Sequence, residues 1–251
     1  MKQIFSAVLN ATWKQKESKL FMAFSMSPLL YLISTFMKTG FMNITSLDNH
    51  VQLSFLEMYD GIFNLTFSST LPTLALFFVV IAVFKSEIQQ HLLFLYKDLE
   101  KTRVLVAKLL SILTLFLIFV LNFTVLMFGV YYLRIIHLPF GSGELIGSDG
   151  YYALFSTIGT ILLHFCYIFC ITLISLYSTN IVSMISGIAL ILITGILPLF
   201  GSIGFLVPNG YRTIAETGNF GFAFLGMVVT TLLYCGLLYY FSLQKFKKVE
   251  F

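Results

Sequence analysis

Charge is scarce in this chain. Of its 251 residues, 15 are Lys or Arg and 11 are Asp or Glu, and the blocks 20–37, 61–84, 109–133, 150–211 and 217–244 contain none of the four. A soluble domain keeps roughly 25–35% of its surface charged. At 10% charged residues overall, a water-soluble domain is excluded. Cysteine is rare too: Cys166, Cys170 and Cys235 all fall inside apolar blocks, which excludes the disulfide framework of a small secreted domain. Cys166 and Cys170 share a helical face but His164 projects elsewhere, leaving too few ligands for a metal. Four histidines (His50, His91, His137, His164) supply no His-Glu-x-x-His pair. The strings Ile185-Ser186-Gly187 and Gly201-Ser202-Ile203-Gly204 do not match the Gly-x-Ser-Gly of an intramembrane serine protease. No phosphate loop of the form Gly-x-x-x-x-Gly-Lys-Ser/Thr occurs, so the chain cannot hydrolyse ATP alone. With twelve Lys to three Arg, the small positive balance suits membrane flanks better than nucleic-acid recognition. An enzyme is not expected, and neither is a cleaved leader, because the first apolar run begins only at Leu20.

What remains is apolar: 58% hydrophobic residues, with a mean hydropathy of +0.93. A bilayer core of about 30 Å takes roughly 20 helical residues to cross, and a backbone in lipid must satisfy its own hydrogen bonds. Continuous apolar runs therefore predict an all-α membrane protein, one domain over 1–251. Six spans are expected at 20–37, 65–84, 109–133, 153–177, 181–200 and 221–243. Twelve of the fifteen basic residues lie in 1–19, 85–108 and 245–251. Keeping those segments on one side puts both termini in the cytoplasm. Parity then requires two spans in 150–211, divided at Ser178-Thr179-Asn180. The loops 38–64, 134–152 and 201–220 fall outside, and no span carries an acidic or basic residue.

Three segments are not spans. Residues 1–18 place Ile4, Phe5, Val8, Leu9, Thr12 and Trp13 on one face. This is the pattern of an interfacial helix anchored by Trp13 and Lys14, a frayed terminus being the plainer alternative. Residues 201–220 stay apolar yet are broken by Pro and Gly, which fits a short re-entrant hairpin or an interfacial loop. In 86–101 an apolar stripe of Ile88, Leu92, Leu95 and Leu99 recurs at helical spacing. It fits a cytosolic helix that enters a groove on another protein, lies on the membrane, or merely connects.

This order resembles the transmembrane subunit of ABC-2 type exporters. After the second span comes an acidic residue, Glu87. An apolar helical stretch from Leu92 to Leu99 follows, then Thr102-Arg103 and Lys108. Leu71-Pro72 in the second span is similar as well. The family's Gly-Thr after the acidic residue and its Pro before the Ser/Thr-Arg pair are absent, with His91, Leu92 and Asp98 near those places. The resemblance implies a separate ABC ATPase in two copies, carrying ATP and Mg, docked on a coupling helix through Glu87, Leu92, Leu95, Tyr96, Lys97, Asp98 and Arg103. It implies a second membrane subunit, identical or paralogous. It implies a cargo path lined by Phe67, Leu71, Leu74, Phe78, Met184, Ile188 and Ile191, although each of these could equally face lipid or a neighbouring helix. An outside gate at Pro198, Phe200, Phe205 and Pro208 completes the picture. The nearest likenesses are bacteriocin-immunity and phenol-soluble-modulin exporter subunits of bacterial plasma membranes. The implied activity is export of a hydrophobic or amphipathic peptide, with no cofactor on this chain and no nucleic acid. A non-transporting immunity or scaffold protein would share the composition, whereas a secondary transporter is expected to carry intramembrane ionisable groups and paired broken spans, and only one break, near Pro198 to Pro208, is visible.

Overall fold

The computed structural model describes residues 2–36, 52–86 and 100–248. They form helices α1 (Lys2–Lys14), α2 (Lys16–Phe24), α3 (Ser27–Ser34), α4 (Phe55–Ser68), α5 (Leu71–Ile81), α6 (Lys101–Leu133), α7 (Gly150–Tyr177), α8 (Asn180–Ile196), α9 (Arg212–Glu216) and α10 (Phe220–Lys247). Among the described residues the only β feature is an isolated bridge between Leu53 and Gly141. The described residues are almost all helical, as expected from the composition. Among the described residues, four helical stretches are long and apolar enough to cross a membrane: Lys101–His137, Gly150–Tyr177, Asn180–Leu206 and Phe220–Lys247. A fifth candidate is the pair α4 and α5, bent by 62°.

The expected spans shift in three places. The segment 20–37 is not one helix. Ser25 turns its hydroxyl back to the Met22 carbonyl at 2.7 Å, and Pro28 opens α3. The apolar run is thus divided into two helices, each too short to cross alone. The segment 65–84 is divided as well. α4 starts at Ser54, whose hydroxyl and the Glu57 carboxylate form a reciprocal capping box. It ends at Ser68, and α5 begins again one turn later with Pro72. Thr70 between them adopts φ +61°, a left-handed conformation rare for a β-branched residue. Residues 55–64, read from sequence as outside loop, are therefore helix, and they carry Glu57 and Asp60. α6 begins at Lys101 rather than 109 and takes in Arg103 and Lys108. Asp60 and Lys108, which lie outside the expected spans 65–84 and 109–133, fall inside α4 and α6.

Arrangement follows from a few contacts. The chain around Leu53 docks on the turn after α6: the Leu53 amide donates to Phe140, the Phe55 amide to Glu144, and the Tyr131 hydroxyl to the Leu53 carbonyl. The starts of α4 and α7 and the end of α6 therefore share one end of the molecule. At the other end Lys85 donates to the Ser178 carbonyl, Lys101 to the Lys247 carbonyl at 3.0 Å, and Lys108 to the Val83 carbonyl at 2.9 Å. Between the ends, α2, α4, α5, α6 and α7 enclose a core dominated by phenylalanine. Phe21 stacks on Phe119 at 4.5 Å, and Phe63 meets Phe67 at 4.8 Å and Phe123 at 5.2 Å. α1 lays Val8 and Thr12, both buried, against α6, while Trp13 is 45% exposed.

Candidate functional site

Polar residues along α4 and α7 build a hydrogen-bonded seam. The two helices run side by side from the same end, so residues four apart on one face of α4 meet residues three and four apart on α7. Glu57 accepts the Ser54 amide at 2.8 Å and the Asp149 amide at 2.9 Å, tying the start of α4 to the start of α7. One turn deeper, Asp60 Oδ1 accepts from Asn64 Nδ2 at 2.6 Å and from the Thr157 hydroxyl at 2.9 Å. Asn64 Nδ2 also donates to the Ser156 hydroxyl at 3.0 Å, and its carbonyl accepts from Thr160 at 2.7 Å.

The seam's deepest polar member is His164, at the middle of the 28-residue α7. Its Nδ1 lies 2.7 Å from the Thr160 carbonyl and its Nε2 lies 3.1 Å from the Thr73 hydroxyl. A carbonyl only accepts, so Nδ1 carries the proton. In the neutral ring, Nε2 then accepts from Thr73. The ring is packed on Phe67 at 4.2 Å and Phe116 at 5.6 Å. Both ring nitrogens are thus occupied by α5 and α7. Among the described residues no three His, Cys, Asp or Glu side chains converge as a metal site would need.

A second feature lies beyond the seam. After α8, Pro198 opens a 3-10 stretch (Leu197–Leu206), interrupted where Gly201 takes φ +58°, and Pro208–Tyr211 forms a further 3-10 turn. The two turns cross so closely that a Cβ on Gly210 would stand 2.0 Å from the Gly204 carbonyl oxygen. No larger residue fits there. The Pro208–Tyr211 turn is inserted between α7 and α10, with Asn209 close against Gly159, and Tyr211 accepts from Thr230 at 3.1 Å. Beneath it, α7, α8 and α10 leave a cavity of about 340 Å³. Its floor is Leu163, Cys166, Tyr167 and Thr194, its cover is Leu206, Val207 and Pro208, and Ile193 and Tyr234 stand at its mouth.

The sequence-derived path residues are dispersed. Phe67 is buried in the aromatic core and shows no surface to any path. Leu74, Met184 and Ile191 are partly buried against that core. Leu71, Phe78 and Ile188 are exposed, and Leu71 lines a separate groove with Ser27 and Thr66 where the breaks in the first two apolar segments meet. α5 and α8 do pack together, at Gly187, where a Cβ would stand 2.5 Å from the Phe77 ring. Of the gate residues, Pro208 is buried, Phe205 lies 5.3 Å from the Tyr211 ring, Pro198 is half-buried and Phe200 is exposed. Glu87, Leu92, Leu95, Tyr96, Lys97 and Asp98, with nearly all of the 86–101 segment, lie outside the described residues. Arg103 is described, on the exposed face of α6, paired with Glu100 at 2.8 Å. No family model, curated protein or solved structure matches this chain.

Sequence reasoning missed Asp60, Asn64 and His164 as a connected set. The signal was there: Glu57, Asp60 and Asn64 recur at three and four. Ser156, Thr160 and His164 recur at four, and two polar stripes at helical spacing in apolar helices predict a shared interface.

Proposed function

We propose that this chain is the membrane-spanning subunit of an ATP-driven exporter of the ABC-2 type. In this reading it moves a hydrophobic or amphipathic peptide and depends on a separate ATPase. One observation carries the reading. The most apolar windows of α8 and α10 are only 17% buried within the chain, against 56% and 50% for α6 and α7. Two long apolar helices lie on the outside of a well-packed core and need lipid or a second subunit to cover them. A second copy meeting this one would leave Phe78 and Ile188 facing an apolar space between subunits, suited to greasy cargo.

The charge distribution supports an orientation. Lys85, Lys101, Arg103, Lys108, Lys245, Lys247 and Lys248 share one end, and Glu57, Asp60, Glu144 and Asp149 lie toward the other. The basic end is cytoplasmic by the positive-inside rule. The ends of the 87–99 segment then have mechanical meaning. On one side Lys85 is tied to the C-terminus of α7, and on the other Lys101 is tied to the C-terminus of α10. A partner that moves 87–99 would pull on both helices at once.

The test is purification in mild detergent. An ATPase that accompanies the protein, and ATP-dependent loss of an amphipathic peptide from loaded vesicles, are the expected results. Consistent absence of any ATPase would favour a non-transporting immunity or scaffold protein. Labelling of introduced cysteines at Ser86 and Ser142 from the same side would overturn the orientation.

A further inference from the structure

We propose that the cavity between α7, α8 and α10 holds the end of a lipid acyl chain, and that this hydrocarbon completes the seat of the turn formed by Leu206–Pro208. The inference rests on the membrane reading but not on transport. Polar ligands and water find nothing to bind there. The two hydroxyls on the floor, Tyr167 and Thr194, are hydrogen-bonded to each other, and Thr194 also donates to the Leu190 carbonyl at 2.8 Å. The other side chains of the floor and cover are hydrocarbon or thiol. Empty apolar cavities of this kind stay dry and take up small hydrocarbons.

Depth and access select the occupant. Tyr167 on α7 and Tyr234 on α10 lie near the midpoints of two 28-residue helices, each about 42 Å long. That depth is where acyl chains end and headgroups do not reach. The mouth opens outward: Ile193 is 56% exposed and Tyr234 37%, on sides of α8 and α10 that no other described part of the chain covers. The volume of about 340 Å³ equals roughly eleven times the ~30 Å³ that one water claims in the liquid. That is room for a chain end on the order of ten methylenes. Without it, the cover residues Val207 and Pro208 would lose contacts on one side, at the expense that any void carries.

The experiment uses the full chain in nanodiscs of phosphatidylcholine and phosphatidylglycerol, doped with a phosphatidylcholine that carries a diazirine at its acyl terminus. After irradiation, adducts are mapped by mass spectrometry. Tyr167 and Cys170, which also lines the cavity, should be labelled together with Leu233, which is 61% exposed on the outward side of α10. Cys170→Trp, which fills the cavity, should cut labelling of Tyr167 by about tenfold, equivalent to ~1.4 kcal/mol of lost binding, while Leu233 stays labelled. Labelling of Leu233 without Tyr167 in the unaltered protein overturns the cavity assignment and leaves the membrane reading standing. No labelling of Leu233 overturns both. Unchanged Tyr167 labelling in Cys170→Trp, or its displacement by a soluble amphipathic peptide at low concentration, overturns lipid as the resident occupant.

Discussion

Asn64 offers the sharpest test of how α4 is held. Its side chain donates to Asp60 and Ser156 and accepts from Thr160, so it bridges α4 to α7 twice. Leu has the same branched heavy-atom skeleton as Asn and makes none of these bonds. Between helices in a membrane such a bond contributes about 0.6 kcal/mol on average, with a maximum near 1.7. Two bridging bonds therefore set a loss of about 1–3 kcal/mol for Asn64→Leu. Most of it should arise from the Ser156 and Thr160 hydroxyls left without their partner. The assay is reversible unfolding of the purified protein by SDS titration from mixed micelles. A double-mutant cycle with Thr160→Ala isolates one bond: the two substitutions together should cost less than their sum by roughly 0.5–1.5 kcal/mol. If the costs add within ~0.3 kcal/mol, the Thr160–Asn64 bond does not exist and the seam is not what joins the helices. Ser68→Ala is a suitable control. Its hydroxyl only returns to the Leu65 carbonyl on an exposed surface, and its removal should change little.

Three other substitutions probe separate features. Thr70→Gly removes the conflict between a β-branched side chain and φ +61°, a conflict of about 1–2 kcal/mol. The variant should be more stable by roughly 1 kcal/mol after the entropy of an added glycine is allowed for, and equal or lower stability refutes the left-handed assignment. Gly187→Ala puts a methyl group 2.5 Å from the Phe77 ring. Its expected destabilisation of about 1–3 kcal/mol should be partly restored by Phe77→Leu, and a silent Gly187→Ala means that α5 and α8 do not cross there. Lys108→Ala removes a fully buried ammonium that donates to Val83 and lies 5.5 Å over the Phe84 ring. Hydrogen bonds to charged groups contribute about 1.5–3 kcal/mol, so a midpoint shift of that size is expected in the same SDS titration, and none would place Lys108 in solvent.

Much of the architecture was legible because long apolar blocks leave a backbone in lipid no option but helix. The expected spans 153–177 and 221–243 lie wholly within α7 and α10. The misreadings share one physical cause. A hydropathy window sums transfer energies over about 20 residues and is blind to a single turn that local side chains redirect. Ser25, Ser27 and Pro28 interrupt the first block; Ser68, Ser69, Thr70 and Pro72 interrupt the second. In both, a hydroxyl bonded to a carbonyl three residues back, that of Ser25 in the first and of Ser69 in the second, ends the helix and a proline starts the next one. The two breaks are neighbours, since the Ser27 and Thr66 hydroxyls lie 3.0 Å apart. The ionisable residues were misjudged differently. Asp60 and Lys108 sit one to three turns inside a helix end, where composition alone does not tell a solvated rim from a buried contact.

The uncharged polar residues carry the information that hydropathy discards. Lipid is as apolar as leucine, so burying Leu against a helix gains little over leaving it in the bilayer, and polar side chains acquire most of the power to choose partners. Along the apolar segments, Asn122 reaches Ser25, Tyr59 reaches Thr124, Asn64 reaches Ser156 and Thr160, Thr73 reaches His164, and Tyr167 reaches Thr194. Each pair joins two different helices or, for Ser25, a helix and the turn after α2. The uncovered side of α10 presents Leu225, Leu232, Leu233 and Leu237 instead, and that of α8 presents Ile181, Ile185 and Leu192. The contrast separates two kinds of helix surface in one chain. Where hydroxyls and amides recur at helical spacing, the partner is another part of this protein. Where only aliphatic groups recur, no described part of this chain covers them, and there the membrane reading has its physical footing.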